Sequence, residues 1–139
     1  EGAHFVLVSP VPNLQLPDWI DRAENISDLS DARAVLTKSG TVSLELAVMG
    51  VPQVVAHKVH PLTHWLGRRL VRGIDHIAMP NILAHAPVVP EFIQDLQPEI
   101  LAAAICALPE RQPINLSALG APGASERAAD RVWLALGAA

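Results

Sequence analysis

Apolar positions along this chain come in short continuous runs separated by helical patterns, which is the signature of strands buried on both faces of a sheet. His4 to Ser9 (HFVLVS) is the first such run, stopped by Pro10 and Pro12, and it predicts a buried strand. Leu16 to Ala23 predicts a short helix with Pro17 in its first turn. Ser27 to Ala32 carries Asp28 and Asp31, which favour a turn or helix start, and leads into a second strand, Ala34 to Lys38. A helix from Thr41 to Met49 stops at Gly50, and Pro52 leads into a third strand, Gln53 to Lys58. Pro61 opens a helix to about Val71, closed by Gly73, and His76 to Met79 predicts a fourth strand. Two helices end the chain. Pro98 to Leu108 has Leu101, Ile105 and Leu108 on one face, and Ser125 to Leu136, with Ser125 as its cap, groups Ala129, Val132, Trp133 and Leu136.

The resulting alternation of strand and helix implies an α/β fold, a Rossmann-like parallel sheet with helices on both faces. Positions 1–110 form the expected domain, 111–124 a mobile linker with two Pro and two Gly, and 125–139 a terminal helix. The length of 139 residues suits one domain, and half the residues are apolar while 17% are charged, enough to bury a core. The opening Glu1-Gly2-Ala3-His4 has no initiator Met and runs almost at once into a strand, so the chain reads as a piece of a longer protein.

A formal charge of −4 argues against bulk nucleic-acid binding. Lys58, Arg68, Arg69, Arg72 and three His nevertheless make a local positive patch between His57 and Ile74. The helix there spaces Leu62, Trp65, Leu66 and Leu70 on one face, which suits core packing or shallow contact with an anionic membrane. The single Cys106 excludes an internal disulfide and reads as core. No apolar run approaches the ~20 residues that span a bilayer.

Two loops carry the candidate chemistry. Ser39-Gly40-Thr41 joins a strand to a helix, and Pro80-Asn81 follows a later strand. In an open α/β sheet, loops at the carboxyl ends of strands are where ligands bind. Gly40 lets the backbone approach an anion, the hydroxyls of Ser39 and Thr41 can donate to phosphate, and Glu45 lies one helical turn inside. Plain alternatives stand beside each: Ser39 as a helix cap, Glu45 facing solvent, Asn81 as a turn residue. His57, His60 and His64 lack the further ligands a zinc site requires.

The runs SGTVSLELAVMGVPQVVAHKVHPLTHWLGRRLV, MPNIL and VVPEFIQ resemble the carboxyl-terminal domain of the lipid A disaccharide synthase family, in order and spacing, over roughly positions 28 to 108. The resemblance implies the carboxyl-terminal half of a two-domain GT-B glycosyltransferase, with the amino-terminal domain and the first βα unit of this one missing. It also implies UDP-2,3-diacylglucosamine as donor and 2,3-diacylglucosamine 1-phosphate (lipid X) as acceptor, giving a β-1,6 disaccharide and UDP. Ser39, Gly40 and Thr41 would hold the diphosphate and Glu45 the ribose, with Lys58, Pro80, Asn81 and Gln94 completing the UDP-sugar site and Glu91 pinning a loop. No metal or other cofactor is implied, and the general base would come from the missing amino-terminal domain. The family further implies a cytoplasmic enzyme, peripheral on the inner face of the cytoplasmic membrane of a Gram-negative-type bacterium, and a homodimer that exchanges carboxyl-terminal helices. This chain departs from the family in having Ala84-His85-Ala86 for Ala-Gly-Arg, Lys58 for Arg and His57 for Tyr. A non-catalytic nucleotide-binding or interaction module, or another UDP-sugar transferase, is the alternative.

Overall fold

A computed structural model describes residues 2–59 and 76–137. The helix expected over 61–71, with His60, His64 and Arg68, Arg69 and Arg72, lies outside the described residues.

Strands β1 (Phe5–Val8) and β2 (Ile20–Ala23) form one parallel pair, and β3 (Val35–Thr37), β4 (Gln53–His57) and β5 (Glu91–Ile93) form a second parallel sheet with β4 at its centre. Helix α1 (Thr41–Val48) follows β3, α2 (Met79–Ala84) precedes β5, and α3 (Pro98–Cys106) and α4 (Ala124–Ala135) close the chain. The α/β class and the parallel pairing agree with the apolar pattern. The core gathers where β4 is covered by α1 and α3. Leu46, Val51, Val54, Val55, Ala78, Val89 and Leu108 are all buried there. Ile114 packs against Val55, Ala78 and Val89, so the segment after 110 begins docked on the domain. Gln112 reinforces that docking, donating to the Val88 carbonyl and accepting from the Gln53 N–H.

Five expectations need correction. Cys106, expected in the core, is exposed at the end of α3. The helix expected over Leu16–Ala23 is β2, in register Phe5↔Ile20 to Val8↔Ala23. Leu, Arg and Ala favour a helix, but propensity is weak beside a partner strand that can take the backbone hydrogen bonds. Trp19 stacks edge-on against Phe5 at 5.4 Å, and Asp21 pairs with His4 at 2.6 Å, which fixes that register. β1 itself is half-exposed where a buried strand was expected, with Phe5 at 51% exposure.

His76–Ala78 is not a strand, because its amides go to side chains: the N–H groups of Ile77 and Ala78 donate to the Glu91 carboxylate, and Ser39 takes the Ile77 carbonyl. The third strand of that sheet is β5, which has only three residues. Finally, α4 is capped by Gly123, at φ 91°, and not by Ser125.

Candidate functional site

The β3–α1 turn is built around Gly40. Its backbone stands at φ 147°, ψ −165°, in a region that side chains rarely adopt. From there α1 starts with no side-chain cap on its first turn. Ser39 is therefore not the cap. Its hydroxyl donates instead to the Ile77 carbonyl at 2.6 Å, tying this turn to the segment before α2. Buried Ser43 donates its hydroxyl to the Gly40 carbonyl at 2.7 Å, and the Gln53 amide donates to the Ser43 carbonyl at 2.8 Å. The turn is thus held from beneath by β4 while its upper side stays open. Thr41 and Glu45, four apart, are both exposed on that open side.

The second loop is organised by Glu91. One carboxylate oxygen accepts from the N–H groups of Ile77 and Ala78 at 2.9 and 2.8 Å, and the other meets His76 Nδ1 at 2.5 Å. Burial alone would raise the carboxyl's pKa. The hydrogen bonds from Ala78, Ile77, His76 and Asn81 outweigh it and hold the group below its ordinary value of 4.5. Asn81 is fully buried, and its amide spans Val89, donating to the carbonyl at 2.9 Å and accepting from the N–H at 2.8 Å. Pro80 is buried beside it. Gln94, at φ 71°, accepts from the Val59 N–H at 2.8 Å and so fastens the loop after β4, where exposed Lys58 stands.

An open cleft of about 580 Å³ lies beside α1. Val42 and Glu45 form one wall, and Val8, Ser9 and Pro10 after β1 with Glu24, Asn25, Ile26 and Ser27 after β2 form the other. It sits at the carboxyl ends of parallel strands, next to an uncapped helix start.

Comparisons with known proteins point to one family. A model of the lipid-A-disaccharide synthetase family matches residues 14–111. The chain belongs to that family. It is 52% identical over 75 residues to the lipid-A-disaccharide synthase of Geobacter sulfurreducens, covering 54% of this chain and 19% of that protein. It is 37% identical over 117 residues to the synthase of Granulibacter bethesdensis, covering 84% of this chain and 29% of that protein. The synthase of Syntrophus aciditrophicus is 40% identical over 119 residues, covering 78% and 31%. The chain thus spans between a fifth and a third of the length of these curated relatives.

The family match takes in every candidate position from Ser39 to Gln94. Ser39, Gly40 and Thr41 adjoin the Ile77–Asn81 segment, and Glu45 faces the cleft. Lys58 and Gln94 form a separate cluster at the ends of β4 and β5, away from the cleft lining. Asn81 and Pro80 are buried under the second loop, so their side chains shape it from inside. Where the family has Gly in Ala-Gly-Arg, His85 occupies the left-handed position that ends α2, at φ 50°, ψ 33°. The departure falls on a helix terminus that favours glycine.

Sequence reasoning missed Ser9, Glu24 and Asn25, which complete the cleft. The carboxyl-end rule pointed to Ser9, just past β1. Reading β2 as a helix hid Glu24 and Asn25. Among the described residues, no three His, Cys, Asp or Glu side chains come together as a metal site.

Proposed function

We propose that this chain is the donor-nucleotide half of a glycosyltransferase of lipid A biosynthesis. The observation that carries the reading is the uncapped start of α1 at Gly40, opening beside a cleft into which Glu45 projects. The unpaired N–H groups of the first turn and the helix dipole favour the diphosphate of a UDP-sugar. The hydroxyl of Thr41 adds a donor, and Ser39 holds the turn against the Ile77 segment. Glu45 accepts from the ribose hydroxyls. Asn81 and Glu91 set the shape of the neighbouring loop, and Gln94 and Lys58 belong to the sugar end of the site.

The donor in this reading is UDP-2,3-diacylglucosamine and the acceptor 2,3-diacylglucosamine 1-phosphate. The acceptor's 6-hydroxyl attacks the anomeric carbon, its proton passing to a base outside these residues. The bond from that carbon to the diphosphate oxygen breaks, and UDP departs with the electron pair. Helix-start N–H groups aimed at the diphosphate stabilise the charge that grows there, without a metal. Exposed Val132, Trp133, Leu134 and Leu136 on α4 offer a second copy an apolar face for helix exchange. The same reading places the enzyme against the cytoplasmic membrane surface, where its acylated substrates lie.

Steady-state assay of the full-length protein with both lipid substrates tests this. Glu45→Ala should raise KM for the donor about tenfold, the scale of one lost hydrogen bond to a charged group, and leave acceptor KM unchanged. A donor KM that does not move would contradict the role given to Glu45.

A further inference from the structure

The turn that opens α1 is short of packing. A Cβ placed on Gly40 would meet no atom within 4 Å, so hydrogen bonds rather than neighbouring side chains fix its position. From beneath, Ser43 holds the Gly40 carbonyl and Gln53 holds Ser43. From the side, Ser39 donates its hydroxyl to the Ile77 carbonyl at 2.6 Å. A carbonyl only accepts, so the single hydroxyl proton of Ser39 is committed to Ile77 and is not offered to a phosphate. The sequence expectation that Ser39 donates to the ligand is thereby corrected. Ser39 acts through where it holds Gly40 and Thr41.

The Ile77 carbonyl shares a peptide group with the Ala78 N–H, and that N–H donates to the Glu91 carboxylate at 2.8 Å. The Ile77 N–H, one peptide earlier, donates to the same carboxylate oxygen at 2.9 Å. Ala78 is buried against Val55 and Val89, which keeps this peptide from turning. One unbroken chain therefore runs from the Ser39 hydroxyl through the Ile77–Ala78 peptide to Glu91. An N–H that donates to a carboxylate polarises its amide, so the carbonyl on the other side becomes a better acceptor for Ser39. The register excludes a shorter route. Thr37, Val55 and Glu91 stand abreast on β3, β4 and β5, which sets β5 two strand spacings, about 10 Å, from β3.

We propose that Glu91 is a positioning residue of the donor-nucleotide site. Through the Ile77–Ala78 peptide and Ser39 it sets where Gly40 and Thr41 present their backbone N–H groups to the diphosphate. This role rests on the donor-binding reading of the α1 start, and adds to it a residue two hydrogen bonds removed from the turn. The path of the chain beyond Ala78 is fixed separately, by Asn81 on Val89. Glu91 acts here by geometry more than by charge. A neutral amide oxygen in the same place would take both N–H groups, whereas a carboxylate one methylene shorter would not reach them.

Calorimetric titration of the full-length protein with UDP tests this, in a double-mutant cycle of Ser39→Ala and Glu91→Asp. Each single change should weaken UDP about fivefold to tenfold, the scale of one hydrogen bond. Either change breaks the same chain, so the double variant should match the weaker single one to within about a factor of two. Losses that multiply, or UDP binding untouched by Glu91→Asp, would overturn the proposal. Glu91→Gln is the rescue arm, and should bind UDP within about threefold of the parent. A loss as large as that of Glu91→Asp would overturn positioning by geometry. In the steady-state assay Glu91→Asp should raise the donor KM alone, and donor and acceptor KM rising together would mark a general structural disturbance and also overturn it. Glu45→Ala in the same titration separates the two levels. If it weakens UDP while the Ser39 and Glu91 effects multiply, the relay falls alone. If it has no effect either, the donor reading falls and the relay with it.

Discussion

Asn81 sits at 0% exposure with both ends of its amide committed to the backbone of Val89. Truncating it leaves a buried N–H and a buried carbonyl without partners. Asn81→Ala should therefore cost about 2–4 kcal/mol in urea unfolding, most of it desolvation left unmatched. A near-neutral result would mean that water or another side chain replaces the amide. Glu91 makes a different kind of statement, about pH. Its folded pKa is depressed below 4.5, so the unfolded chain takes up the proton first as the solution is acidified. The stabilisation is complete above the ordinary value and is lost as pH falls from there through the lower folded value. Thermal unfolding between about pH 6 and pH 3 should show the gap between the native protein and Glu91→Gln closing on the acid side. A gap that stays constant across that range would show that the carboxylate is not selectively stabilised by its four donors.

Elements differ in how plainly the sequence announces them. β4 and α1 were legible because their apolar runs are bounded by Gly50 and Pro52, which have few other readings. β2 was not, since Ile20–Ala23 is stabilised by pairing with β1, a contact that local propensity does not contain. β5 was missed for a related reason: Glu91 opens it, and the carboxylate's use lies 13 to 15 residues away in sequence, on Ala78, Ile77 and His76. The same long-range bonds turned the expected strand at His76–Met79 into a pinned segment leading to α2. Of the candidate site, the Ser39–Thr41 turn and Glu45 could be read from spacing, whereas the burial of Asn81 could not, because an Asn after a Pro looks the same whether it faces a ligand or the core. The last helix stands apart. Every described residue of α4 is exposed, so nothing among the described residues holds it down. Removing residues 121–139 should leave the Tm of dilute protein within about 2 °C of the parent, as expected for surface not packed on the core. A drop well beyond that would mean α4 folds back onto the domain in solution.

At the scale of the whole molecule, the parallel strands, the glycine turn and the open cleft meet along one end of the sheet, as ligand sites of this architecture do. Membership of the lipid-A-disaccharide synthetase family gives that end a chemical context. The central claim is that it binds a uridine diphosphate through the start of α1 and Glu45. Calorimetric titration of the full-length protein with UDP, UMP and ADP tests this most directly. UDP should bind at least tenfold more tightly than either of the others, and Glu45→Ala should remove about that factor. Equal affinity for all three nucleotides, or UDP binding untouched by Glu45→Ala, would contradict it.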